Sequence, residues 1–218
     1  NSPFSYVARN ALLYVQQWGV NDVFLDSTPY GRISGMDSVN GSLWTLVYEA
    51  ACYLIVGATI VFGVRRFRAM LVPTLCIASL VALAAMTVAP GAVLPLVPAP
   101  LSPEGLRLIP AFLVGSTIAV FRHGVRASRF VAAAAVVVVV ASLGLGGFWV
   151  IGVPALSYLV LWLGYGLPRR LRGIGTKNDV SYGLYLYAWP VQQTTVVLGW
   201  NSWGFVAWTL TSLAISLL

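Results

Sequence analysis

Apolar residues in this chain come in long runs separated by short polar or basic punctuation, not in the narrow stripes of a water-soluble fold. The runs are Leu43–Val64, Ala69–Val88, Leu106–Phe121, Phe130–Leu145, Phe148–Leu167, Val180–Leu198 and Trp203–Leu218. A hydrocarbon core about 30 Å thick is crossed by about 20 residues of helix. The pattern therefore predicts an all-α fold, a polytopic transmembrane helical bundle with about seven spans in a single membrane domain, 1–218. The stretch 130–167 is too long for one span, and Gly144, Gly146 and Gly147 mark the turn of a hairpin within it. Leu106–Phe121 is short and has Pro110 near its start. Ahead of the first run, 1–42 is expected to hold an interfacial helix or partial span over Phe4–Trp18, then a polar loop from Asp22 to Asn40.

Composition supports this reading. Apolar residues make up 59% of the chain and charged ones 9%, against about 25% charged in soluble domains. Mean hydropathy is +0.84. A net charge of +7 could point to nucleic acid, but the basic residues sit in short clusters between apolar runs and form no continuous basic face. Nucleic acid is excluded as a partner. Cys52 and Cys76 both fall within predicted spans and read as small buried apolar side chains, not as a disulfide.

The clusters instead orient the spans. Arg65, Arg66 and Arg68 follow the first run, Arg122, Arg126 and Arg129 the third, and Arg169, Arg170, Arg172 and Lys177 the fifth. If the spans alternate, all of these lie on one side. The other side receives Arg9, Arg32 and Arg107 together with Asp22, Asp26, Asp37 and Glu104. By the positive-inside rule the arginine-rich loops are cytoplasmic.

Within this frame the candidate chemistry is sparse. Glu49 lies about two turns inside the first run, where a carboxylate costs roughly 2.5–3.5 kcal/mol on insertion scales. Such a group needs a partner, a wet cavity or a substrate; the plain alternative is an arginine on a neighbouring helix. Thr45, Glu49 and Tyr53 share a helical face, and Trp44 stands at the membrane entrance, where an interfacial anchor is its ordinary role. The sixth run opens with Asn178-Asp179-Val180-Ser181, a helix-capping sequence. Ser181, Tyr185, Trp189 and Gln192 then align on one face, Gly183 permits close helix approach, and Pro190 frees a carbonyl. Gln192 and Gln193 are polar at membrane depth; packing and hydrogen bonding between helices is their default role. His123, the only histidine, lies in an arginine-rich loop, and a lone histidine is no metal site. No metal is expected, and no phosphate loop or nucleophile elbow is present.

Ser42-Leu43-Trp44-Thr45-Leu46-Val47-Tyr48-Glu49 and the segment Val180 to Pro190 together resemble the acyltransferase-3 family of integral-membrane O-acyltransferases. Val39-Asn40-Gly41 ahead of the first motif, and Tyr187-Ala188-Trp189-Pro190-Val191-Gln192-Gln193, are similar to its polysaccharide-acetylating branch. Ala188 stands where many relatives have histidine, and Val47 where this branch often has proline. The resemblance implies about ten spans, of which this chain would supply the last seven, with the family's presumed catalytic histidine in the first three. It implies transfer of an acyl group, probably acetyl, from cytoplasmic acyl-CoA to a hydroxyl of an extracytoplasmic glycan or glycolipid at a bacterial inner membrane. Glu49 would then be catalytic, and Ser42, Trp44, Thr45, Tyr53, Tyr185, Trp189 and Gln192 would meet the acceptor. Arg169, Arg170 and Arg172 would meet the CoA phosphates. Acyl-CoA would be a co-substrate, with no tightly bound cofactor.

Two other classes fit the composition: a transporter or flippase for a lipid-linked sugar, using Glu49 as a proton-coupled group, and a non-catalytic membrane scaffold. The first lacks the inverted repeat common in transporters, and the second gives Glu49 nothing to do. The orientation is open to direct test. Reporters fused after Arg68, Arg126 and Arg172 should read cytoplasmic, and reporters at Gly147 and Asn201 external; a cytoplasmic signal at Asn201 would overturn the assignment.

Overall fold

The computed structural model describes residues 2–61, 65–97, 102–166, 168 and 180–217. Among them the chain is helical, with no β-strand. The principal helices are α1 (Pro3–Asn10), α2 (Pro29–Ser34), α3 (Leu46–Val61), α4 (Arg65–Val88), α5 (Leu108–Val120), α6 (Arg129–Leu145), α7 (Val153–Gly166), α8 (Ser181–Val197) and α9 (Phe205–Ser216). The chain divides into two compact units: Asn1–Val47 with Gly173–Leu218, and Tyr48–Arg172.

Each of the seven apolar runs overlaps one of α3 to α9, with α4 beginning four residues and α6 one residue ahead of its run. Among the described residues three segments, Leu43–Val61, Phe67–Val88 and Phe148–Gly166, are long and apolar enough to cross a membrane. Arg129–Leu145 and Phe205–Ser216 are apolar but shorter. The 13 residues of α5 rise only about 20 Å. Support from length and hydropathy thus extends to three of the seven expected crossings. These helices turn large apolar side chains outward: Leu54, Val88 and Leu145 are 74%, 86% and 90% exposed. Such a surface is stable only against an apolar solvent or partner, consistent with membrane association.

In the first unit, α1 is eight residues long and capped by Ser2, whose hydroxyl accepts from Ser5 N. Buried Gln17 holds the following loop against it: its amide accepts from Ser5 Oγ (2.9 Å) and donates to the Gly19 carbonyl (2.8 Å). Asn10 adds a bond to the Gln17 carbonyl (2.8 Å). The segment from Asp22 to Asn40, expected as a loop, contains α2. Its cause is local: Thr28 caps the helix by accepting from Gly31 N (3.1 Å), and Pro29 supplies the preset first helical residue. A Cβ on Gly31 would strike the Phe24 and Leu25 carbonyls. Helices α8 and α9 pack together, with buried Thr195 at the seam. Its hydroxyl accepts from Trp208 Nε1 (2.9 Å) and lies 3.3 Å from Ser212 Oγ. Interhelical hydroxyl bonds of this kind are a usual means of joining helices in lipid. Between α8 and α9, Gly199 and Gly204 carry positive φ, and Trp200 stacks on Trp203 at 5.1 Å.

In the second unit, α4 packs on α5 around Cys76, Leu113 and Val114, with Leu75, Leu80, Ile109 and Ile118 closing over them. Cys52 and Cys76 are both buried and free, in keeping with the sequence reading. Helices α6 and α7 form the expected hairpin, turned by Gly146 (φ 92°) and Gly147 (φ 81°), values that side chains rarely tolerate. A π-helical turn, Phe148–Gly152, leads into α7. The Tyr158 hydroxyl on α7 donates to the Arg126 carbonyl (2.9 Å) and accepts from Ser128 N (3.1 Å), tying α7 to the loop ahead of α6. Tyr48, 4% exposed, accepts from Ser102 N (2.6 Å), and its ring lies where a Cβ on Gly105 would go.

That contact gives a paired test. Gly105→Ala should lower stability by about 1–3 kcal/mol through overpacking. Gly57→Ala, where nothing lies within 4 Å of the new methyl group, should be neutral or slightly stabilising. Melting both variants in detergent checks the pair; equal effects would contradict the packing described.

Candidate active site

Pro190 lies inside α8. Having no N–H, it cannot bond the carbonyl four residues earlier, which belongs to Leu186. In lipid an orphaned carbonyl of this kind costs several kcal/mol. The Asn40 amide takes it up, donating from Nδ2 to Leu186 O at 2.9 Å. The other end of the same amide accepts from Ser42 N (2.9 Å), so one side chain both satisfies the helix and shapes the turn Asn40-Gly41-Ser42. Gly41 is required by the closeness that results, since a Cβ there would stand 2.7 Å from the Trp189 ring. Trp189 is held in turn by its Nε1 donating to Ser38 O (3.3 Å) and by Tyr30, edge-on at 4.8 Å.

One turn earlier on α8, the Tyr185 hydroxyl donates to the Ser42 carbonyl (3.0 Å). Thr45 Oγ1 reaches the same carbonyl (3.2 Å), and the Thr45 and Tyr185 hydroxyls are hydrogen-bonded to each other. Two protons are shared among three oxygens, so the hydroxyls can exchange donor and acceptor roles without moving heavy atoms. Thr45 is 8% exposed, while Tyr185 reaches the surface. Close by in sequence, the hydroxyl of Ser38 (1% exposed) and Asp37 Oδ2 are buried without a hydrogen-bond partner among the described residues. Asp37 Oδ1 accepts from Phe24 N at 3.0 Å.

The structure thus brings together Ser42, Thr45, Tyr185 and Trp189 of the expected residues. Trp44 is half-buried in the 3₁₀ turn Leu43–Thr45, which precedes α3 and breaks the α-helical register expected to align Thr45 with Glu49. Gln192 is exposed, and its carbonyl accepts from Thr195 Oγ1 (3.0 Å). Gly183, expected to admit a close helix, has open space at its Cβ position among the described residues; the close approach is at Gly41 instead. The capping expected at the start of α8 is not made at Val180, its N-cap residue, and Asn178 and Asp179 lie outside the described residues. So do Arg169, Arg170, Arg172 and Lys177.

Glu49 and Tyr53 belong to the second unit. Glu49 is half-buried in the first turn of α3, nearer the helix start than the apolar run implied. Tyr53 is 64% exposed, with its ring edge-on to Phe112 at 5.3 Å. Tyr30 and Ser38 were not singled out by sequence reasoning, and Asn40 entered it only within the Val39-Asn40-Gly41 segment of the family resemblance. The signal for Asn40 was nevertheless present: a proline in a helix requires a donor for the carbonyl four residues back, and an asparagine ends the preceding polar segment.

The chain is 28% identical over 186 residues to an O-acetyl transferase of Shigella phage Sf6, a match covering 81% of this chain and 53% of that protein. It spans about half the length of that relative. No family model matches the chain. No solved structure matches it either.

The Asn40–Leu186 bond can be isolated by a double-mutant cycle. Asn40→Ala should cost about 1–3 kcal/mol, the penalty for an orphaned carbonyl. In a Pro190→Ala background the helix regains its own N–H, and the same change should cost much less. Thermal melting of the four proteins gives the coupling; additive effects would show that Asn40 does not serve the proline's missing bond.

Proposed function

We propose that the protein is a membrane O-acyltransferase that moves an acetyl group from acyl-CoA on the cytoplasmic side to a hydroxyl of an extracytoplasmic glycan or glycolipid. The observation that carries this reading is the likeness to the phage O-acetyl transferase, which supports acetyl transfer as the chemistry. A contiguous match over 81% of 218 residues necessarily runs through Thr45 and Glu49. The apolar helices support residence in a membrane, here taken to be a bacterial inner membrane with the arginine-rich loops inside.

In this reading Glu49 draws the proton from the acceptor hydroxyl, whose oxygen attacks the thioester carbonyl. The tetrahedral adduct collapses, the carbon–sulfur bond breaks, and the CoA thiolate takes up the proton that Glu49 removed, leaving an acetyl ester, free CoA and an ionised Glu49. Tyr185 and Gln192, both exposed on α8, are assigned to the acceptor. The Ser42 carbonyl and the Thr45 hydroxyl hydrogen-bond Tyr185 and hold it, while Trp189 packs over Gly41 beside them. Trp44 and Tyr53 are assigned to the acceptor as well. Acyl-CoA is a co-substrate, not a bound cofactor, and Arg169, Arg170 and Arg172 help counter its phosphates.

The test is Glu49→Gln in the full-length protein, which keeps the shape and loses the charge. Loss of a charged hydrogen bond in a desolvated site should slow glycan acetylation about 30- to 1000-fold. Melting measured on the same preparation should be little changed. Near-normal acetylation by a folded variant would end the assignment of Glu49, and lost folding with proportionate lost turnover would make it a structural group.

A further inference from the structure

The unit Tyr48–Arg172 contains two adjoining cavities of about 380 and 470 Å³ that share Ala119, Arg122 and His123 in their walls. Both volumes fall within the range of about 300–1,000 Å³ usual for small-molecule sites. The smaller cavity adds Arg68 from α4, and the larger adds Arg126 with the rings of Trp162 and Tyr165 from α7. Three arginines and a histidine therefore line the two adjoining cavities, with aromatic rings on the far flank of the larger one.

Among the described residues that line the two cavities there is no carboxylate. The unit's only carboxylates are Glu49, in the first turn of α3, and Glu104, in the turn ahead of α5. The arginines lie beyond the opposite ends of these helices, at the start of α4 and after α5. Glu104 is separated from Arg122 and Arg126 by the length of α5, about 20 Å. Arg68 Nε is buried without a hydrogen-bond partner among the described residues. Arg122 Nε donates to His123 Nε2 (3.4 Å), so the rest of the Arg122 fork is not used by that bond. Membrane topology explains why arginines lie at this end. It does not explain a buried guanidinium nitrogen left unpaired at the wall of a cavity.

We propose that this double cavity binds a phosphate-bearing ligand that carries a flat ring. The phosphates are held by Arg68, Arg122 and Arg126, and the ring lies against Trp162 and Tyr165. Guanidinium forks bind phosphate oxygens in pairs, and indole and phenol faces accept a planar base. The inference rests on the acyl-transfer reading for the ligand's identity, the nucleotide end of the thioester donor. A phospholipid headgroup shares the phosphate chemistry but brings no ring.

The test measures binding, so it can fail while acetyl transfer stands, and the reverse. The full chain in nanodiscs of zwitterionic lipid is titrated calorimetrically with acyl-free coenzyme A. Saturable binding is expected, weakened about tenfold or more in an Arg68→Gln, Arg122→Gln double variant and unchanged in Arg9→Gln. Should the double variant not fold, phenylglyoxal labelling of the unaltered protein serves instead: coenzyme A should protect Arg122 and Arg126 from modification. No binding, unchanged affinity in a folded double variant, or unprotected arginines at saturating coenzyme A would each overturn the proposal. Protection by phosphatidylglycerol in the nanodisc, with none from coenzyme A, would overturn the nucleotide assignment and give the cavity to a lipid headgroup.

Discussion

One missing hydrogen bond organises the candidate site. Pro190 deprives the Leu186 carbonyl of its helical donor, and the Asn40 amide replaces it from a segment far away in sequence. Because an unsatisfied carbonyl is so costly away from water, the loop ending at Asn40 is held at the middle of α8. The rest follows from that distance. Gly41 can carry no side chain against Trp189, Ser38 accepts the indole N–H, and the Ser42 carbonyl comes within reach of Tyr185 and Thr45. A helix-breaking residue thus joins the two motifs that stand out in the sequence.

Much of this was legible before any coordinates. Long apolar runs became α3 to α9, because a helix satisfies its own backbone wherever water is scarce. Gly146 and Gly147 turned the α6–α7 hairpin, since their φ values exclude most other residues. Other features depended on contacts that periodicity does not encode. Thr28-Pro29 started a helix inside a segment that composition marks as loop. Gly183 looked like a packing position only because glycine often is one; the close contact belonged to Gly41, whose need arises from Asn40. The 3₁₀ turn at Leu43–Thr45 moved Glu49 to the first turn of its helix. The number of crossings was the least secure reading, because apolar composition continues where helices such as α5 are too short to span unaided.

Within Tyr48–Arg172, Glu104 and Arg107 lie together ahead of α5. Carboxylates precede α5 or open α3, whereas Arg68, Arg122 and Arg126 collect at the far helix ends beside cavities. On the proposed acyl-transfer reading, a phosphate-rich donor would be drawn to the arginine-lined end. A pump coupled to protons would instead be expected to place basic and acidic groups within exchange distance of each other.

The most direct test of acetyl transfer supplies isotope-labelled acetyl-CoA to one side of sealed membrane vesicles containing the full-length protein. Glycan from the opposite face is then analysed by mass spectrometry. The account predicts labelled O-acetyl ester on the outer-face glycan when the donor is on the cytoplasmic side, and none when the donor is supplied outside. Movement of unmodified glycan across the vesicle membrane, with no labelled ester formed, would contradict it.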